Sequence, residues 1–127
     1  MLETKFNGLT RPAIRRTGAH VDQIETGETG RGIPDLHVLS PNKGTYWVEL
    51  KVSRTKTKLT VDIKPVQILW HEQYAKLGGR SFIAVYNEAD SHIYLFRGVD
   101  SRDASTGDVR PYIQFTSIAA MASWLEN

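Results

Sequence analysis

The sequence predicts an α/β fold, a mixed β-sheet of about five strands flanked by helices. Two observations lead there. Ile33 to Leu39 and Thr45 to Val52 are short apolar-rich runs around Ser40-Pro41-Asn42-Lys43-Gly44, a segment with the composition of a turn. A helix-length stretch from Asp62 or Ile63 to Leu77 then ends at Gly78-Gly79, and the apolar run Ser81 to Tyr86 follows at once.

In chain order, Leu2 to Thr17 reads as helical, interrupted by Gly8 and Pro12, which predicts either a kinked helix or two short turns. Gly18 closes it. His20 to Glu25 is a strand with poor alternation, followed by the glycine-rich 26–32. In the next pair, Tyr46, Val48, Leu50 and Val52 alternate with Trp47, Glu49 and Lys51. If Leu39 faces Thr45, then Val38 meets Tyr46, Leu36 meets Val48 and Pro34 meets Leu50 on one apolar face. The same register sets His37 opposite Trp47 and Asp35 opposite Glu49. A slip of one residue would mix the faces, so the apolar pattern itself selects this pairing. Arg54 to Asp62 is a basic, Thr-rich connection. The helix that follows carries Pro65 near its first turn and runs through Gln67, Trp70 and Tyr74. Ser81 to Tyr86 and His92 to Phe96 read as strands, Gly98 to Arg110 as a polar loop, and Ser117 to Leu125 as a closing helix.

A chain of 127 residues, 40% apolar and 24% charged, suits a single soluble domain. No apolar run approaches the ~20 residues of a membrane span. Met1 to Lys5 lacks a signal-peptide pattern, so the expected location is cytoplasmic, or the host cytoplasm if a phage encodes the chain. The absence of cysteine excludes disulfides, thiol nucleophiles and cysteine-based zinc sites. Net charge is only +2. Arg11, Arg15 and Arg16 nevertheless cluster in one place, and Arg54, Lys56, Lys58 and Lys64 in another, as a polyanion partner would require. Gly27, Gly30 and Gly32 superficially resemble a phosphate loop. No Gly-Lys-Ser/Thr follows them, so a nucleotide cofactor is not expected.

The chemistry centres on Asp35, Glu49 and Lys51. Cleavage of a phosphodiester needs an activated nucleophile and relief of charge on the phosphate. Carboxylates holding one or two magnesium ions supply both. Asp35 and Glu49 on neighbouring strands can share an ion, with the Leu50 backbone carbonyl as a neutral ligand. Lys51 shares the strand face of Glu49 and can orient the attacking water or stabilise developing negative charge. A plainer reading is a Glu49–Lys51 surface salt bridge with an unrelated Asp35. Like charges opposed across a ladder are destabilising, however, and a cation would resolve the conflict.

Gly32-Ile33-Pro34-Asp35, then Glu49-Leu50-Lys51, a basic loop and a helix opening with Gln67 together resemble the PD-(D/E)xK nuclease superfamily, especially its VRR-NUC and Holliday-junction-resolvase branches. The resemblance spans roughly Gly30 to Phe96. It implies a restriction-endonuclease-like core, magnesium dependence with manganese able to substitute, Asp35 and Glu49 as metal ligands, and Lys51 as the catalytic lysine. Gln67 matches a glutamine that supports the site or touches the phosphate; it can equally be an ordinary residue of a first helical turn. Relatives often add a glutamate from the first helix, for which Glu3 is the candidate and Glu25 and Glu28 are substitutes. Glu3 is also explained as an acid favourable to the helix dipole.

Other features are weighed beside these. His37 is expected beside Trp47, with an auxiliary phosphate contact as the alternative; His71, one turn after Gln67, either takes a solvated helix position or points toward the same cleft; Trp70 belongs to the core or to an oligomer interface; His20 and His92 show no ligand spacing. Arg11, Arg15, Arg16, Arg54, Lys56, Lys58, Lys64 and Arg80 are candidate DNA contacts, reading the phosphate backbone rather than base sequence. The expected function is a structure-specific endonuclease on branched DNA, such as a four-way junction, working as a homodimer with two active sites. Open alternatives are a nuclease for duplex, flapped or single-stranded DNA in repair or phage genome processing, a non-catalytic DNA-binding module, and an unrelated α/β domain.

Overall fold

A computed structural model describes residues 1–24 and 31–127. Along the chain run α1 (Glu3–Arg15), β1 (His20–Gln23), β2 (Leu36–Ser40), β3 (Gly44–Ser53), α2 (Pro65–Lys76), β4 (Ser81–Asn87), β5 (His92–Arg97), α3 (Ser101–Thr106), β6 (Ile113–Phe115) and α4 (Ile118–Glu126). The six strands form one sheet in sequence order. β3 and β4 are parallel and every other neighbouring pair is antiparallel. The parallel pair needs a crossover, which α2 supplies.

Sheet alternation sends Val48, Leu50, Phe82, Ala84 and Leu95 to one face, where they pack with Phe6 and Ile14 of α1 and Met121 and Leu125 of α4. Ile83, Val85 and Phe96 face the other way, onto Ile68, Ala104, Val61 and Ile63. The result is a helix–sheet–helix sandwich, with Glu49 and Lys51 on the α2 face.

The expected pairing of β2 with β3 is found from Leu36↔Val48 to Leu39↔Thr45. Its turn is held by Ser40 Oγ, which accepts from the amides of Asn42 (3.2 Å) and Lys43 (3.0 Å). Gly44 takes φ +67, a conformation that side-chain-bearing residues adopt at a cost. α1 is one helix through Gly8 and Pro12, so of the two expectations the pair of separate short turns is excluded. Burial of Phe6, Thr10, Ala13 and Ile14 along one face outweighs the hydrogen bond that Pro12 removes.

Three expectations need correction. The sheet has six strands rather than about five, because Ile113–Phe115 pairs with β5. Much of the expected 98–110 loop is helical: a 3-10 turn at Gly98–Asp100 leads into α3. β2 begins at Leu36, not Ile33. Pro34 has no N–H to give a ladder, so regular pairing starts beyond it.

Candidate active site

Asp35 lies just before β2, so it does not form the ladder rung opposite Glu49 that the register alone suggests. Its side chain stands in for that rung: Leu50 N–H donates to Asp35 Oδ2 at 2.7 Å. On the other side, Ile24 N–H donates to the Asp35 carbonyl at 2.8 Å. Asp35 is therefore pinned between β1 and β3. Upstream, Gly32 at φ +75 rests on the first turn of α2, where a Cβ would come within 2.2 Å of the Val66 carbonyl oxygen. Glycine alone allows this approach, which brings the Gly32–Asp35 segment against the start of α2.

Glu49 is only 2% exposed, and its Oε1 has no hydrogen-bond partner among the described residues. Burial first, then the neighbouring Asp35 carboxyl, pushes its pKa up to about 9; Lys51 pulls the other way. An acid so placed holds its proton at neutral pH unless a further cation arrives. Lys51 is 9% exposed and donates from Nζ to Gln67 Oε1 at 3.0 Å. The same oxygen accepts from the Lys64 amide at 2.9 Å, capping α2. One glutamine thus closes the helix start and holds the lysine ammonium beside the carboxyls.

A cavity of about 320 Å³ opens on the α1 side of Asp35, lined by Glu3, Asn7, Arg11, Gln23, Asp35 and Leu50. Arg11 Nε donates to Asn7 Oδ1 at 2.6 Å. Glu3 lines this cavity and its charge adds to the upward push on Glu49. Among the described residues, however, no third Asp, Glu, His or Cys completes a metal-holding cluster with Asp35 and Glu49. Glu25 and Glu28 lie outside the described residues, as do Gly27 and Gly30. Sequence reasoning passed over Asn7 and Gln23. Asn7 was within reach, since Glu3, Asn7 and Arg11 recur at helical i, i+4 spacing; Gln23 carried no comparable signal.

His71 is fully buried, not solvated. Its Nδ1 pairs with Ser81 Oγ at 2.7 Å and its Nε2 has no partner among the described residues. Burial first and the Lys51 charge second lower its pKa to about 4, so the ring is neutral at pH 7. His37 packs on Trp47 with ring centroids 4.5 Å apart. Trp70 is half-buried, packed edge-on to Trp47 at 5.3 Å and stacked on Tyr74 at 4.7 Å. These aromatic rings fasten α2 to the sheet beside the carboxyls.

The basic candidates divide. Arg11 shares the Asp35 cavity. Arg15 donates to the Val21 carbonyl at 3.0 Å, Arg54 pairs with Glu88 at 2.8 Å, and Lys58 reaches Asp108 at 3.8 Å. Arg16, Lys56 and Lys64 are exposed. Arg80 lies beyond the opposite end of α2 from Gln67, bonded to the Lys43 carbonyl at 3.2 Å.

Neither a protein-family model nor a curated protein matches the sequence. Solved structures do. A VRR_NUC domain superposes with a TM-score of 0.52 at 27% identity, covering 67% of this chain and 84% of its own. Hjc of Archaeoglobus fulgidus, a Holliday junction resolvase from an archaeal hyperthermophile, superposes with a TM-score of 0.52 at 13% identity, covering 76% of this chain and 72% of its own. The protein has the restriction-endonuclease-like fold of the PD-(D/E)xK nuclease superfamily, with VRR-NUC-type and resolvase structures among its neighbours.

Proposed function

We propose that the chain is a single-domain, metal-dependent DNA endonuclease that cuts branched DNA, foremost four-way junctions, as a symmetric homodimer. One observation carries the reading. Two carboxyl groups meet at the end of a β-hairpin, one of them buried with an oxygen that has no partner among the described residues, and the lysine two residues on, on the same strand face, is hydrogen-bonded to Gln67.

The donor set fits magnesium. Asp35 and Glu49 offer hard oxygens, as such an ion requires. The Leu50 N–H points at Asp35, and within a strand the N–H and C=O of one residue turn to the same side, which makes the Leu50 carbonyl a third oxygen for the ion. A buried carboxyl oxygen lacking any donor is costly, and a cation relieves that cost. Once bound, magnesium would lower the pKa of an attacking water and draw charge from the phosphate.

The chain's own residues do the rest. Asp35, held by the Leu50 amide, and Glu49 bind the ion. Lys51, its ammonium held by Gln67, orients the water or stabilises charge on the scissile phosphate. Arg11, braced by Asn7, lies where it can meet a flanking phosphate, while Glu3 acts at longer range across the same cavity.

The test is cleavage with magnesium, at matched salt, of a four-way junction, flap, fork, linear duplex and single strand. Symmetric paired cuts confined to the junction are expected, and manganese should replace magnesium. Equal cutting of linear duplex would overturn the junction preference. No cutting of any substrate would leave a DNA-binding module in place of an enzyme.

A further inference from the structure

Beyond the C-terminal end of α2, two adjoining cavities share Arg80 and Trp124. The larger, about 430 Å³, is also lined by Phe82, Arg97 and Tyr112. The smaller, about 380 Å³, adds Lys43. Ala75, which lines the larger cavity, lies two turns along α2 from Gln67, about 12 Å at helical rise. We propose that this surface is a binding groove for an unpaired DNA strand, the joined cavities setting three cations, Lys43, Arg80 and Arg97, among the rings of Phe82, Tyr112 and Trp124.

Single-stranded nucleic acid alternates phosphates with flat, apolar bases, and proteins that hold it combine a basic groove with aromatic surfaces. Here both components interleave. The Arg80 guanidinium stands 5.6 Å from the Tyr46 ring centre and 5.5 Å from that of Phe82, and its Nη1 is fixed by the Lys43 carbonyl. That anchoring presets its position and leaves further N–H groups to meet a phosphate. Arg97 lies 5.0 Å from the Tyr112 ring centre. Its contact with Asp100, 3.3 Å at the exposed rim, is of the solvent-screened kind that a phosphate can displace. Tyr112 is 53% exposed although it packs edge-on to Trp124 at 5.8 Å, so one side of the ring is open for stacking. A peptide ending in a carboxylate would need only one of these cations; three along a ring-lined path suit a repeating anion.

The inference rests on the endonuclease reading and narrows its substrate to branched DNA that carries an unpaired strand. Binding is measured in chelator with fluorescent oligo-dT, which separates it from cleavage. The full chain should bind oligo-dT, and Arg97→Gln combined with Tyr112→Ala should weaken binding tenfold or more. Arg80→Gln alone should weaken it severalfold, whereas Arg102→Gln, which removes a cation outside the groove, should leave it within twofold. With magnesium, the double variant should also lose any preference for a single-stranded arm over blunt duplex. Failure of the wild type to bind oligo-dT, equal binding by the double variant, or displacement of oligo-dT by an acidic peptide ending in Phe would each overturn the groove. A wild type that binds oligo-dT but cuts nothing would overturn the endonuclease reading alone.

Discussion

The two faces of β3 bury their polar groups on opposite terms. Toward α4, Tyr46 is fully buried and its hydroxyl donates to Glu126 Oε2 at 2.6 Å, so this buried acid has a donor. Burial and the Glu126 carboxyl both hold the Tyr46 hydroxyl in its protonated form. Toward α2, Glu49 is as deeply buried, yet the group that acts on it most strongly is another carboxyl, that of Asp35. The first arrangement gives one oxygen of a buried acid a donor and leaves the other, Oε1, without a partner among the described residues. The second sets two carboxyls against each other, so that one of them holds its proton in the folded chain.

The sharpest test of that contrast replaces each glutamate by its amide. Glu49→Gln should lower magnesium-dependent cleavage by roughly a thousandfold or more, with DNA binding retained. Asp35→Asn should do the same. Glu126→Gln should leave turnover near wild type, because its oxygen meets a tyrosine and not the substrate. Lys51→Ala should fall between, at roughly a hundredfold. Single-turnover rates on the preferred substrate decide the order, and wild-type cleavage by Glu49→Gln would remove the site assignment.

What the sequence allowed one to read follows from how local each signal is. The β2–β3 register was legible because side chains alternate with period two, so a slip would have turned Leu36, Val38 and Val48 outward. That register put Asp35 beside Glu49, although the rung itself is a side-chain bond that only the effect of Pro34 on the ladder could have suggested. Gln67 was legible from its place at the helix start; its double role needed Lys51 and Lys64 to converge on one oxygen. β6 was not legible, since Ile113-Gln114-Phe115 is too short for a period to show. Nor was α3, whose Ser101-Arg102-Asp103 composition reads as loop. The burial of His71 depends on Ser81 in another element, a contact that no local pattern announces.

On the α4 face the expected effect is on stability. Among the described residues Tyr46 is the donor to Glu126 Oε2, so Tyr46→Phe should cost about 1–3 kcal/mol in denaturant unfolding, the penalty for a buried polar group left unpaired. Cleavage per folded molecule should hardly change. A variant as stable as wild type would show that Glu126 finds another donor, and the contrast between the two faces would weaken.

On the α2 face, removing the charge should help the fold. The Glu49 pKa of about 9 in the folded chain lies above its ordinary 4.5, so the folded state binds the extra proton between those values. Stability from this group is therefore fully present below pH 4.5 and lost as pH rises through 9. In chelator, Glu49→Gln should flatten that decline and gain on the order of 1 kcal/mol over wild type at pH 8 to 9. Magnesium should raise the melting temperature of the wild type more than that of the variant, since it binds the folded carboxyl pair. Equal pH profiles would mean that Glu49 is solvated in solution.

The smallest effect concerns His71, behind the lysine. Its folded pKa of about 4 lies below the ordinary 6.5, so here the unfolded chain binds the extra proton. The sign is opposite to that for Glu49: stability is fully present above pH 6.5 and declines as pH falls toward 4. His71→Asn keeps a polar partner for Ser81 and removes the titration, so its melting temperature should fall less steeply than that of the wild type between those limits. The difference between the two slopes isolates this residue from the carboxylates that titrate nearby. Parallel slopes would place the ring in contact with water, and the neutral wall it presents to Lys51 would be gone.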